Sequence, residues 1–308
     1  MRQGVIDIGT NSVKLLIADV CGKDIMPVHE SSRQTRLGQG LYANSQLQPE
    51  PIKATVVAVK ELLSLAVSEG CIDTRIIATS AVREAVNAGE FQQALGHAVE
   101  VLSGASEACL AFNGVMSCPR LNKKSVFVID VGGGSTEFIV GDIDRMLHHS
   151  SIRLGSVRLM ESHPAFDPPE IGELKAIIGS IDRSLDEETM QGLHADLDEF
   201  GGVISFEMIG SGGMAGILAN MELATENFDR ERMETVELSL DCVTLWRERL
   251  WGMTLGKRRE IIGMPSNRAD VALYGSLIYE QLMRRFGFAV LRVSTRGIRY
   301  GALRSLKT

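Results

Sequence analysis

One short pattern occurs twice in the chain, and the repetition restricts the fold more than any other feature. From Val126 to Gly141 the sequence VFVIDVGGGSTEFIVG reads as an apolar strand, a carboxylate, a glycine-rich turn and a second strand. The β-branched residues Val126, Val128, Ile129 and Val131 favour a buried strand. Gly132, Gly133 and Gly134 lack a Cβ, so their N–H groups can approach an anion closely, with Ser135 and Thr136 adding hydroxyls. The chain resumes as a strand at Phe138. In the P-loop and the Rossmann fingerprint the glycines open a helix instead, so neither applies. Near the start, Val5-Ile6-Asp7-Ile8 runs through Gly9, Thr10, Asn11 and Ser12 into Val13–Asp19 in the same order, with Lys14 just after the turn. Asp7 and Asp130 are therefore equivalent positions in two hairpins. Such a duplication predicts two similar domains whose turns converge on one ligand in a cleft. The residues alone leave a second reading open, in which both hairpins are plain turns capped by their Asp residues.

A phosphate chain held by two such turns requires a cation. Strand-end carboxylates are suitable oxygen ligands for Mg²⁺, so Asp7 and Asp130 are candidate metal ligands. Glu137, two residues after Ser135, is a third candidate and could also position water; on an alternating strand it could equally face solvent.

At 308 residues the chain is long enough for two domains. Its formal net charge of −7 opposes a broad nucleic-acid-binding surface but not a phosphorylated substrate, which needs only a local field. No apolar run reaches membrane-spanning length, since Asp7 interrupts the first and Asp130 the next, and because Met1-Arg2-Gln3 leads straight into a strand no signal peptide is expected. The five cysteines show neither CxxC nor Cys/His spacing, which fits reduced thiols and a cytoplasmic location. The six histidines lack metal-ligand spacing, and His148-His149 are expected at the surface.

Between the hairpins, strand and helix signals alternate. A helix is predicted over Pro51–Val67, a strand over Thr74–Ala78, a helix entered at Thr79-Ser80, a short strand over Val99–Leu102 and a helix from Glu107. In the second half Ile152–Arg158 carries a turn, Pro168–Glu199 is charged and helix-periodic, and Phe206–Ser211 is a strand leading into Gly212-Gly213. Helices are expected from there to the C-terminus. Lys257-Arg258-Arg259 reads as a solvated helix end.

Nine ordered segments carry a family resemblance along nearly the whole chain: IDIGTNSVKLLI, RLGQGL, IATSAVREAVNAGEF, VEVLSGASEACLAF, VFVIDVGGGSTEFIVG, SIRLGSVRLMES, MIGSGGMAGILA, MPSNRADVALYG and VSTRGIRYGAL. In these the chain resembles the exopolyphosphatase and guanosine-pentaphosphate phosphohydrolase family. The resemblance implies an α/β protein of two ribonuclease-H-like domains, the actin-like ATPase superfold, with an interdomain cleft. The domains are expected at 1–120 and 121–295, with 296–308 packing back on the first. It further implies Mg²⁺-dependent removal of a terminal phosphate from polyphosphate or guanosine pentaphosphate, and a homodimer.

The resemblance places a general base at Glu107 in SGASEA and a phosphate-reaching cation at Arg83 in TSAVREA. Many relatives carry an acidic residue just before that Glu, where this chain has Ser106. Read on their own, Glu107 is a first-turn helix residue favoured by the macrodipole and Arg83 an ordinary helix surface cation. Arg268, Arg296 and Arg299 match family positions but are expected to tie helices together. The longer relatives append a C-terminal domain beyond the last matching segment, so the resemblance gives a weaker expectation of highly processive cleavage of long chains and leaves short-chain polyphosphate open. An ATP-binding kinase or ATPase of the same superfold, with Gly210–Gly213 as an adenosine-side loop, remains the competing reading, and a non-catalytic nucleotide sensor a weaker one.

Overall fold

A computed structural model describes the whole chain except residues 122–124, 143–144, 186–191, 194, 196, 200–201 and 306–308. It divides into two compact units, Met1–Ser117 with Arg296–Thr308, and Cys118–Thr295.

In the first unit β1 (Arg2–Ile8), β2 (Ser12–Cys21) and β3 (Asp24–Gln34) form an antiparallel meander. β4 (Asp73–Ala78) and β5 (Glu100–Val101) join parallel to β1, giving the order β3-β2-β1-β4-β5. Both faces of this sheet are covered. Ile6, Ile8, Leu15 and Ile17 pack with Val59 and Leu62 of the Pro49–Ser68 helix, whereas Val5, Leu16 and Ala18 pack with Leu110, Tyr300 and Leu303. Two-sided burial explains why β1 and β2 read as nearly continuous apolar runs. The Ile298–Arg304 helix lies against the Gly104–Val115 helix through glycines. Gly301 meets the Leu110 carbonyl and Gly114 the Gly297 carbonyl so closely that a Cβ would collide.

The second unit repeats the plan. It contains β6 (Ser125–Val131), β7 (Thr136–Gly141), β8 (Met146–Ile152), β9 (Phe206–Ser211), β10 (Glu237–Ser239) and β11 (Val290–Val293). The strand order is β10-β11-β9-β6-β7-β8. Starting at β8, the first five strands reproduce the order and direction found in the first unit, and β10 adds antiparallel at the far edge. Three antiparallel strands followed by two parallel ones is the ribonuclease-H-like arrangement, so each unit has the fold expected from the sequence. Its core gathers Phe127 and Phe138 of β6 and β7 around Phe286 of the Ala269–Phe286 helix, with the Phe127 and Phe286 rings edge to face at 4.9 Å.

Several local expectations are corrected. The region after Gly213 is not helical throughout, because β10 and β11 lie within it; with three and four residues they are too short to show a period. β3 and β8 are polar edge strands on which apolar alternation is faint. Arg258 is no solvated helix end: it is 4% exposed and donates to the Met253 carbonyl at 3.1 Å and to Asp167 at 3.3 Å. His148 is half-buried rather than at the surface. In the charged stretch Pro168–Glu199, Ile171–Ser184 is a helix, and part of the remainder falls outside the described residues. Among the described residues no helix is long and apolar enough to cross a membrane.

Candidate functional site

The first unit gathers its candidate residues at one sheet edge. β1, β4 and β5 run parallel and end together: the Thr79 N–H donates to the Ile8 carbonyl at 3.2 Å and the Leu102 N–H to the Ala78 carbonyl at 2.9 Å. Carboxyl ends of parallel strands are where α/β sheets assemble ligand sites. From this edge leave the Gly9–Asn11 turn, the Ser80–Glu84 helix bearing Arg83 and the Gly104–Val115 helix bearing Glu107. Arg83 Nη1 donates to Glu107 Oε2 at 2.7 Å and to the Leu102 carbonyl at 2.9 Å. Ser103 caps the second helix by accepting from the Ser106 N–H at 3.1 Å, which sets Glu107 in the first turn, at the positive end of the helix. With side chains 13% and 23% exposed, Glu107 and Arg83 are reachable by water yet held in place. Arg83 is therefore not the solvent-facing helix cation of the ordinary reading; it pairs with Glu107 of another helix.

The turn itself is braced from behind. The Gly9 N–H donates to the Ser12 carbonyl at 3.0 Å and closes it; the Thr10 carbonyl accepts from the Gly38 N–H at 2.8 Å, and the Asn11 carbonyl from the Thr35 and Arg36 N–H groups at 3.2 and 3.0 Å. These bonds occupy the Thr10, Asn11 and Ser12 carbonyls and hold the turn's backbone in place. Gly38 lies so close to the Thr10 methyl that a Cβ there would collide. Thr10, Asn11, Ser12 and Asp7 are all buried, and Lys14 is half-buried directly across the ladder from Asp7. Arg299 donates to the Leu15 carbonyl at 2.9 Å and pairs with Glu30 at 3.1 Å. Burial pushes its guanidinium below the ordinary value while the nearby charge of Asp7 pulls the other way, and it remains a cation. Arg296 donates to the Ser117 carbonyl at 3.2 Å; both arginines tie elements together.

The second unit carries an equivalent turn, built from equivalent positions. The Gly132 N–H donates to the Ser135 carbonyl at 2.9 Å, the same closure seen at Gly9. The carbonyls of Gly132 and Gly133 accept from the N–H groups of Ser156, Val157 and Arg158 at 2.9–3.0 Å, and Arg158 Nε donates to the Gly134 carbonyl at 2.7 Å. Gly155 is pressed so tightly on Gly133 and Gly134 that no side chain fits. Asp130, at the end of β6, faces Ser211 at the end of β9 and accepts its hydroxyl at 2.8 Å. Beneath them the Tyr279 hydroxyl donates to the Ser211 carbonyl at 3.1 Å; burial, helped by the Asp130 charge, holds this phenol well above its ordinary value, so it stays a neutral donor. Glu137 stands across the ladder from Asp130, is 2% exposed and accepts from the Ser151 hydroxyl at 2.9 Å, which rules out a solvated face. Ser135 is buried in the turn. Thr136 is fully buried and its hydroxyl donates to the Leu154 carbonyl at 2.6 Å, so it braces the turn instead of offering that donor to a ligand.

Asp130 and Glu137 thus present neighbouring carboxylates, each with one oxygen held by a serine. Such hard donors fit Mg²⁺, which takes one or two carboxylates and completes its shell with water and phosphate oxygens. Among the described residues no group of three or more His, Cys, Asp or Glu side chains is gathered in a way that could hold a metal ion, so Asp7, Asp130 and Glu137 do not form a single three-carboxylate cluster.

Residue-by-residue reading of the sequence missed the braces, Gly38 and Gly155 to Arg158. A signal was present: Arg36-Leu37-Gly38 and Arg153-Leu154-Gly155 are a second internal repeat, each following its hairpin.

The sequence profile of the Ppx/GppA phosphatase family matches residues 16–308. The chain is 32% identical to exopolyphosphatase 2 of Mycobacterium tuberculosis, covering 99% of this chain and 98% of that protein. It is 28% identical to guanosine-5'-triphosphate,3'-diphosphate pyrophosphatase of Pseudoalteromonas atlantica, covering 98% of this chain and 58% of that one. Among solved structures, an exopolyphosphatase from Cytophaga hutchinsonii superposes with a TM-score of 0.87 at 26% identity, covering 100% of this chain and 99% of that one. A Ppx/GppA enzyme from Aquifex aeolicus gives 0.78 at 28% identity, with 99% of both chains covered.

Proposed function

The chain belongs to the Ppx/GppA phosphatase family and is a hydrolase, and from this we propose that it removes the terminal phosphate of inorganic polyphosphate or of guanosine pentaphosphate in a Mg²⁺-dependent reaction. The observation that carries the reading is the Arg83–Glu107 pair at 2.7 Å, a carboxylate anchored at the strand ends beside the Gly9–Asn11 turn. Hydrolysis of a phosphoanhydride needs little covalent help from the protein, only positioning and neutralisation of the equatorial oxygens. Glu107 accepts a proton from water as the water oxygen forms its bond to the terminal phosphorus. The bridging P–O bond breaks, its electron pair leaves on the shortened chain, and orthophosphate is released. Arg83 keeps the base oriented. Each turn, residues 9–12 in the first unit and residues 132–135 in the second, is of a kind that takes phosphate oxygens. Asp130 and Glu137 would hold Mg²⁺, with Asp7 the corresponding carboxylate of the first unit; when bound, the ion supplies positive charge to the phosphate oxygens.

The test is phosphate release with Mg²⁺ from tripolyphosphate, long polyphosphate, guanosine pentaphosphate and ATP, with Glu107→Gln in parallel. The expected result is turnover of polyphosphate or the guanosine substrate, lowered by about 10²–10⁴ in Glu107→Gln. Turnover of ATP alone, indifferent to Glu107, would overturn the assignment.

A further inference from the structure

Asn11 is the one member of the first turn whose side chain is tethered on one side only. It is 7% exposed. Its Oδ1 accepts from Gln34 Nε2 at 3.3 Å, and its Nδ2 is buried without a protein partner. Burying an amide donor without an acceptor is costly, so a buried orphan donor in an anion turn indicates an acceptor supplied by something other than the protein. In the structure Gln34 turns its NH₂ group toward Asn11, so the Asn11 atom that faces it is the oxygen and the atom left over is the nitrogen. Gln34 is itself fixed at the last position of β3, in ladder register with Ser12, and the following two N–H groups bind the Asn11 carbonyl.

We propose that Gln34 is a positioning residue that sets the carboxamide of Asn11 with Nδ2 outward, so that the first turn offers a side-chain donor to a phosphate oxygen of the substrate. This rests on the phosphate-binding reading of the turn and adds to it the group that determines the polarity of that contact. Reversing the polarity at position 34 reverses it at Asn11. A carboxylate there accepts from Nδ2, swings Oδ1 outward and opposes two oxygens where a donor and an acceptor had met.

The experiment is a double-mutant cycle of Gln34→Glu and Asn11→Ala, read by steady-state turnover of tripolyphosphate and by inhibition with inorganic phosphate. Losing one hydrogen bond to a charged group corresponds to about a tenfold change in affinity. Gln34→Glu is expected to raise KM and the phosphate inhibition constant about tenfold with kcat little changed, Gln34→Leu to raise them less, and Asn11→Ala to abolish the effect of Gln34→Glu. The cycle separates a relay from simple charge repulsion, because repulsion from a carboxylate at position 34 persists when Asn11 is gone. An undiminished effect of Gln34→Glu on the Asn11→Ala background, or a loss confined to kcat, overturns the inference while leaving the hydrolase reading intact. A wild-type chain that releases phosphate from none of the phosphoanhydrides overturns that reading first, and the inference with it.

Discussion

Replacing Arg83 by Met separates two roles that an arginine near a phosphate can play. In the structure its Nη1 serves the Leu102 carbonyl at 2.9 Å and Glu107 at 2.7 Å, within the unit that carries both. The methionine keeps the stem's packing and removes both donations. Hydrogen bonds involving a charged partner contribute about 1.5–3 kcal/mol each, and partial exposure of both side chains lets water replace some of this, so the unit should lose about 1–3 kcal/mol of stability. The larger consequence is for the base. A positioned general base contributes about 10²–10⁴ to rate, and a carboxylate freed to sample several rotamers forfeits part of that, so kcat should fall about 10- to 100-fold, or about 1.4–2.7 kcal/mol. Arg83→Lys should fall between, since one ammonium does not reproduce the fork of donors. The assay is kcat and KM for tripolyphosphate with denaturant unfolding alongside, repeated on the Glu107→Gln background, where Arg83→Met should cost little more. A raised KM with unchanged kcat, or full additivity with Glu107→Gln, would refute the positioning role and return Arg83 to direct contact with substrate.

Two further outcomes follow from the second unit. Gly212 has φ +81°, and a Cβ there would collide with Asp130 Oδ1. Gly212→Ala combines left-handed strain with overpacking at a cost of about 2–4 kcal/mol, lowering the melting temperature by roughly 5–15 °C and, on the Mg²⁺ role proposed for Asp130, raising the Mg²⁺ concentration needed for half-maximal activity. An unchanged melting temperature would contradict the packing argument. Glu280 is 2% exposed and held by Arg247 at 2.6 Å and Arg284 at 3.1 Å. Burial pushes its carboxyl up, but the two guanidinium groups outweigh this and leave it below the usual value. A depressed carboxylate contributes stability that is present above the unfolded value near pH ~4.3 and is lost as pH falls through the lower folded one. Glu280→Gln should therefore be less stable than wild type at pH 7 but lose less on acidification. Urea unfolding at pH 7, 5, 4 and 3 checks this, and equal acid slopes would argue against it.

Much of this molecule was legible in its residues. The hairpins at Asp7 and Asp130 are strings of β-branched residues broken by a carboxylate and a glycine turn, and local chemistry suffices to shape them. Buried on both faces, their strands carry an apolar signal strong enough to survive any ambiguity of period, and the nine family segments extend that reading to the fold and to the hydrolase class. The repeat of Arg-Leu-Gly after each hairpin was equally present, though nothing local says that these residues brace the turns.

Other features depended on contacts between segments far apart in the chain. β10 and β11 exist because β9 offers an open edge, not because three or four residues favour extension. Arg258 reads as solvated until Asp167 and the Met253 carbonyl are brought to it. Glu107 and Arg83 read separately as a helix-start acid and a helix surface cation; only the side-by-side ending of β4 and β5 joins them at 2.7 Å. Thr136 and Asn11 look alike as polar turn residues, yet one donates inward to Leu154 and the other is left with an unpartnered buried donor. The residue sequence determined the strands, the turns and the chemistry available at them. The tertiary structure decided which polar groups neutralise one another and which remain for a ligand, because a hydrogen bond depends on distance in space and the sequence records only order along the chain.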